Sequence, residues 1–178
     1  MAESDSAKAQ IEFALAQEDD LDAICAMVKS AVALMQEKNI FQWDDIYPAR
    51  EDFAADIKNG HLYVGKVFGD VAVIFAVNKE FDEEYKNGKW KYSESDFRVV
   101  HRLCVNPKYQ NRGIAKSALS YIETKLCNEG VESIRMDTFC KNPIALSLYL
   151  KAGYKEVGFA EWSKGRFVLL EKGLQKLT

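Results

Sequence analysis

The sequence predicts an α/β (α+β) chain, and three features of its patterning point there. Segments with apolar residues at a period of 3.6 alternate with short apolar or alternating runs, so helices and strands interleave along the chain. Two pairs of strand-like runs are joined by tight turns, at Gly69-Asp70 and Lys164-Gly165, which makes each pair antiparallel. Two strand-to-helix junctions, near residues 105–115 and 139–149, carry residues suited to binding and chemistry. At 178 residues the chain suits one domain with a full core, residues 1–8 forming a flexible N-terminus.

The elements follow in order. Ile11 to Ala16 reads as a short strand, and Leu21, Ile24, Cys25, Val28, Val32 and Met35 as the apolar stripe of a helix that Asp19 or Asp20 can cap. Residues 39–48 have no clean period. Pro48 precedes a second helix through about Lys58, which Asn59-Gly60 ends. His61 to Phe68 and Val71 to Val77 form the first hairpin, and residues 79–95 are charged and irregular. Phe97 to Val105 is a strand. Gly113 to Asn128 is a helix with its stripe at Ala115, Ala118, Leu119, Ile122 and Leu126. Ile134 to Phe139 is another strand, and a helix begins after Asn142 with Pro143 at its first position. Two strands, Tyr154 to Trp162 and Arg166 to Leu170, close the chain.

Bulk properties narrow the function. A formal charge of −3 without a basic stripe argues against nucleic acid as a partner. No run of 18 apolar residues suggests a membrane span, and the polar, acidic N-terminus does not read as a signal peptide, so a cytoplasmic enzyme is expected. Cys25, Cys104, Cys127 and Cys140 have no C-x-x-C spacing, so they read as buried hydrophobes, with no metal site or disulfide framework. A homodimer stays open.

The run Gln110-Asn111-Arg112-Gly113-Ile114-Ala115 joins a strand to an amphipathic helix, and its small residues would let main-chain N–H groups approach a pyrophosphate. A nucleotide phosphate loop would need glycines where Gln110 and Ala115 stand, and a dinucleotide fingerprint needs three glycines where only Gly113 is present. Downstream, Asn142 is followed after six residues by Tyr149 and then by Gly153-Tyr154. Together these two stretches resemble the paired signatures of the GNAT superfamily of acetyl-CoA-dependent N-acetyltransferases. Residues 39–48 followed by 60–64 look like bacterial members of that superfamily.

That resemblance implies a mixed, mostly antiparallel sheet of about seven strands with helices on both faces. It implies acetyl-CoA as donor, a direct transfer to a primary amine of a small molecule or peptide, and no metal. By register it assigns the main chain of Leu103, Cys104 and Val105 to the pantetheine arm, and Lys108, Gln110, Asn111, Arg112, Gly113, Ile114 and Ala115 to the pyrophosphate. Asn142 serves as helix cap and reaches the pantetheine or a nearby water. Tyr149 becomes the proton donor to the departing thiolate.

An ammonium must lose its proton before it attacks, which calls for a base. His101 is the expected one, because His-Arg-Leu-Cys-Val resembles a strand of the arylalkylamine N-acetyltransferases that carries a relay histidine. Phe41, Trp43, Asp44, Asp45 and Tyr47, with Glu80, Asp82, Glu83 and Glu84, are the expected acceptor wall, since aromatics and carboxylates together suit a cationic amine. The alternative function is a catalytically silent acyl-CoA-binding sensor or regulatory module.

Overall fold

In the computed structural model residues 10–175 are described, and the N-terminal stretch expected to be flexible lies outside them. The elements are β1 (Glu12–Leu15), α1 (Leu21–Glu37), α2 (Arg50–Lys58), β2 (Leu62–Val67), β3 (Asp70–Asn78), β4 (Phe97–Val105), α3 (Ile114–Asn128), β5 (Ser133–Phe139), α4 (Pro143–Lys151), β6 (Lys155–Trp162) and β7 (Gly165–Gly173). Short 3₁₀ turns stand at Glu18–Asp20, Glu83–Asn87 and Pro107–Tyr109.

All seven strands join one sheet in the order β1-β2-β3-β4-β5-β7-β6. Every neighbouring pair is antiparallel except β4 with β5. The apolar stripe of α1, with Phe53 of α2, buries Leu62, Val64, Ile74 and Ala76 on one face. On the other face the stripe of α3 and residues of α4 pack on Val73, Phe75, Met136 and Leu170. Segment 79–95 covers the remainder of the first face through Tyr85, which packs with Val99, Ala160 and Leu169.

Both hairpin turns fall one residue earlier than the sequence suggests. Val67 pairs with Asp70, so the first turn is Phe68-Gly69, with φ of +50° and +82° at its two central residues. Those positive values are what a two-residue hairpin matched to strand twist requires, and glycine meets that demand at the second position. In the second hairpin Trp162 pairs with Gly165, which leaves Ser163-Lys164 as the turn.

Two irregularities in β4 position the site. Ala76 pairs with His101 and Ile74 with Cys104, so two steps along β3 match three along β4. Arg102 takes up the extra residue at φ +55°. Such a conformation costs about 1–2 kcal/mol for a residue with a Cβ. Its side chain is anchored in return, with Nη1 donating to Asp56 Oδ2 at 2.5 Å and the guanidinium 5.7 Å from the Tyr47 ring centroid. After this bulge Cys104 joins the α1 side of the sheet and Leu103 and Val105 the α3 side. Separately, β4 and β5 pair only at Phe97, Arg98 and Val99 with Ser133, Ile134 and Arg135, and beyond these residues the two strands part.

Candidate active site

Where the two central strands separate, the edge of β4 that faces β5 carries main-chain groups with no strand partner. Residues 103–105 sit on that edge, with Cys104 and Val105 still paired to β3 on their other side. A cleft of about 350 Å³ runs along the opening. Leu103, Cys104 and Val105 line it together with Thr138 of β5 and Asn142, Ala145, Leu148 and Tyr149 at α4. Across from them stand Ala31, Leu34, Met35 and Lys38 of α1 and its end, then Ile40, Gln42 and Trp43.

One end of the cleft is the start of α3. Asn111 (φ +60°) and Gly113 (φ +74°) are both left-handed, and no side chain caps the helix. The first helical bond here runs from Ser117 N to Gly113 O, so the N–H groups of Ile114, Ala115 and Lys116 lack helical acceptors. Successive amides in such a turn form an anion-binding concavity beside the positive end of the helix. A Cβ on Gly113 would meet no atom within 4 Å, so glycine is required here by its backbone angle and not by crowding. Gln110, Asn111, Gly113, Ile114 and Ala115 all line the cleft. Lys108 and Arg112 do not: Lys108 Nζ donates to Asp70 Oδ2 at 2.5 Å, and exposed Arg112 lies 5.7 Å from the Tyr109 ring centroid. The cationic side chains on the cleft are instead Lys38 and Lys116.

Asn142 caps α4, its Oδ1 accepting from Ala145 N at 3.2 Å while its Nδ2 donates to Gln42 Oε1 at 3.0 Å. The amide is thus committed to holding α4 against the 39–48 loop. Two turns along the helix, Tyr149 faces the cleft at 7% exposure. Burial, with Asp137 and Cys104 nearby, pushes its phenol well above the usual value, which keeps the proton in place at neutral pH.

A family match now fits what this geometry holds: residues 28–154 match the Acetyltransferase (GNAT) family. The chain belongs to that family. A GNAT acetyltransferase from Streptococcus agalactiae 2603 is 26% identical, with a TM-score of 0.82 over 93% of this chain and 96% of that one. One from Listeria monocytogenes 4b F2365 is 18% identical, with a TM-score of 0.74 over 92% and 95%. The PaiA N-acetyltransferase of Thermoplasma acidophilum, solved with coenzyme A, is 15% identical, with a TM-score of 0.69 over 92% and 99%. The last two show the fold alone. No curated protein matches the chain. It is therefore an acyltransferase of the GNAT type, from a family that uses acetyl-CoA. Among the described residues no cluster of His, Cys, Asp and Glu could hold a metal ion, and no helix is long and apolar enough to cross a membrane.

The expected base, His101, is tied into the fold by hydrogen bonds of its own ring. It is not part of the cleft wall, and its Nε2 lies 2.9 Å from Asn78 Oδ1 and 3.1 Å from Glu80 O. Two acceptors at that nitrogen make it a donor. Burial, followed by the Arg102 charge, holds its pKa down to about 4, so the ring is neutral and weakly basic. His101 ties β4 to segment 79–95. Burial pushes the Cys104 thiol to about 12, which leaves little of the nucleophilic thiolate at neutral pH.

The carboxylate that the sequence reading missed is Asp137 on β5. It sits beyond the last β4–β5 pair, beside Thr138 of the cleft wall, and its charge bears on both Tyr149 and Tyr47. Tyr85 Oη donates to its Oδ2 at 2.7 Å. Burial raises its pKa to about 6, and Asp82 adds to the rise while the Tyr85 bond opposes it. Partial exposure leaves it open to water. A signal existed: Asp is disfavoured inside strands, and this one interrupts the buried run from Ile134 to Phe139.

The expected acceptor wall is only partly assembled. Trp43 lines the cleft at 9% exposure. Asp44 is occupied elsewhere, accepting from the main chain of Ile46 and Tyr47 and pairing with Lys164, which hold its pKa down to about 2. Tyr47 lies against Arg102, while Phe41 and Asp45 are exposed and off the cleft wall.

Proposed function

We propose that this GNAT enzyme transfers an acetyl group from acetyl-CoA directly to a primary amine of a small molecule or peptide, with Asp137 as the base and Tyr149 as the acid. The observation that carries the reading is the placement of these two groups. Tyr149 lines the cleft from α4, and Asp137, next in sequence to Thr138 of the cleft wall and under segment 79–95, lies near enough for its charge to act on that phenol. The pair is split as acid–base chemistry at neutral pH needs, one group firmly protonated and the other ionised just below pH 7.

The residues present fit the donor. Free amides at the start of α3 suit a pyrophosphate, and the unpaired edge of residues 103–105 suits an arm that carries amides. When bound, the donor supplies a thioester carbonyl. Asp137 takes a proton from the approaching ammonium, leaving a neutral nucleophile. As the new carbon–nitrogen bond replaces the carbon–sulfur bond, Tyr149 would give its phenolic proton to the departing sulfur and recover one from the acetylated nitrogen, which sheds its second proton to become the amide. Lys38 and Lys116 add positive charge along the wall where phosphates would lie.

Release of CoA across a panel of small primary amines tests the activity and finds the acceptor. Tyr149→Phe should keep acetyl-CoA affinity and lower kcat by roughly 10²–10⁴-fold, the usual worth of a positioned proton donor. Equal kcat at a saturating amine would leave Tyr149 as a packing residue.

A further inference from the structure

We propose that Tyr85 is the positioning residue of this active site, its hydroxyl holding Oδ2 of Asp137 so that Oδ1 alone receives the proton of the incoming amine. The proposal rests on the reading of Asp137 as the base. Neighbouring antiparallel strands such as β3 and β4 need a turn of only a few residues. Here the chain runs instead from 79 to 95, across to β6 and β7 and back.

That excursion is anchored at several points, and within residues 79–95 Tyr85 alone is buried. Tyr85 is 2% exposed, with its ring stacked on Trp90 at 5.5 Å and on Phe81 at 6.0 Å. Trp90 Nε1 donates to the Tyr85 carbonyl at 2.7 Å, which fixes its main chain as well. Farther along, Lys89 N donates to Val157 O at 2.7 Å, and the Glu171 carboxylate accepts from Lys91 N at 2.8 Å and Tyr92 N at 3.2 Å. The Arg135 guanidinium lies 4.4 Å from the Trp90 ring centroid.

The sheet is shaped to receive the segment. A Cβ at Gly158 would stand 2.9 Å from Asn87 O, and one at Gly173 would stand 2.4 Å from the Tyr92 hydroxyl. Real Cβ atoms do not come so close to backbone, so Gly158 makes room for the segment to rest on β6, while at Gly173 the neighbour is only the end of the Tyr92 side chain. The result is a rigid strap whose one hydrogen bond into the reaction site is the Tyr85 hydroxyl at 2.7 Å from Asp137.

The groups that act on Asp137 can be separated. Asp82, on the strap, opposes its ionisation, as does burial. Tyr47 from the 39–48 loop and Tyr149 from α4 are neutral phenols within reach of its charge. Only the Tyr85 bond favours the carboxylate. Removing that hydroxyl should therefore raise the Asp137 midpoint by about one pH unit, the usual effect of one lost bond to a charged group.

The test uses the full chain, labelled with ¹³C at the aspartate carboxyls, as wild type and as Tyr85→Phe. The Asp137 resonance should titrate about one unit higher in the variant, and the acid limb of kcat/KM, for the amine with fastest CoA release in the panel, should move with it. In the unsubstituted protein the Tyr85 ¹³Cζ resonance should follow the Asp137 titration, a measurement that needs no variant. An unmoved Asp137 midpoint in the folded variant, or a Tyr85 resonance indifferent to it, overturns the positioning role. A moved midpoint with an unmoved acid limb supports Tyr85's hold on the carboxylate and overturns Asp137 as the base.

Discussion

Replacing Asp137 by Asn should make the protein more stable and almost inactive. The fold raises this carboxyl from 3.8 to about 6, so ionising Asp137 costs the folded state about 3 kcal/mol more than the unfolded chain. Between those two pH values the folded state binds more protons than the unfolded one, so this group's contribution to stability falls as pH rises from about 4 to 6 and is flat above. Asn has the same shape, stays neutral, and its Oδ1 can still accept from Tyr85. Partial exposure of Asp137 trims the gain, leaving about 1–3 kcal/mol at pH 7.5, or roughly 2–10 °C in Tm for a chain of this size. That advantage should vanish near pH 4, where wild type is protonated too. Activity should fall by roughly 10²–10⁴-fold. Thermal unfolding of both proteins at pH 4 and 7.5, beside kcat/KM for the panel amine, checks each part. Equal stability at pH 7.5, or a gain that persists unchanged at pH 4, would refute the account of a strained carboxylate.

Further outcomes follow from the same geometry. Gly113→Glu combines a backbone angle that costs about 1–2 kcal/mol with a negative charge facing the unpaired amides, so acetyl-CoA binding by calorimetry should be lost while the fold survives. Affinity equal to wild type would remove the α3 start as the phosphate site. His101→Gln should leave the kcat/KM profile between pH 6 and 8 unchanged, since that ring is neutral there. The same variant should resist acid better: the folded His101 has a pKa near 4 against 6.5 unfolded, so wild type loses that stability as pH falls through this window. Urea midpoints measured from pH 7 to 4 would reveal the difference.

Much of this site was legible because its signals are local. A strand, a glycine of positive φ and an uncapped helix lie within 103–115, and the cap and phenol of α4 lie seven residues apart, so neither depends on distant contacts. What escaped the sequence was made by long-range geometry. Asp137 and Tyr85 stand 52 residues apart and meet only because the strap crosses β5. His101 looked like a base because it occupies the right strand, yet the Arg102 bulge, invisible in the residue pattern, decides which side chains of β4 face the cleft. Asp44 looked free, but Lys164, 120 residues on, claims it.

The early parting of β4 and β5 has a consequence for how the molecule breathes. Three residue pairs join β1–β4 to β5–β7, so in the free protein the middle of the sheet behaves as an edge. Amides of residues 103–105 that point into the opening should exchange with solvent faster than those of β3, a reversal of the usual protection gradient from rim to centre. A ligand laid between the strands would bridge the halves much as a missing strand does. Binding would then be read as a merger of two folding units into one, with slowed exchange on both sides of the gap and a single, sharper unfolding transition.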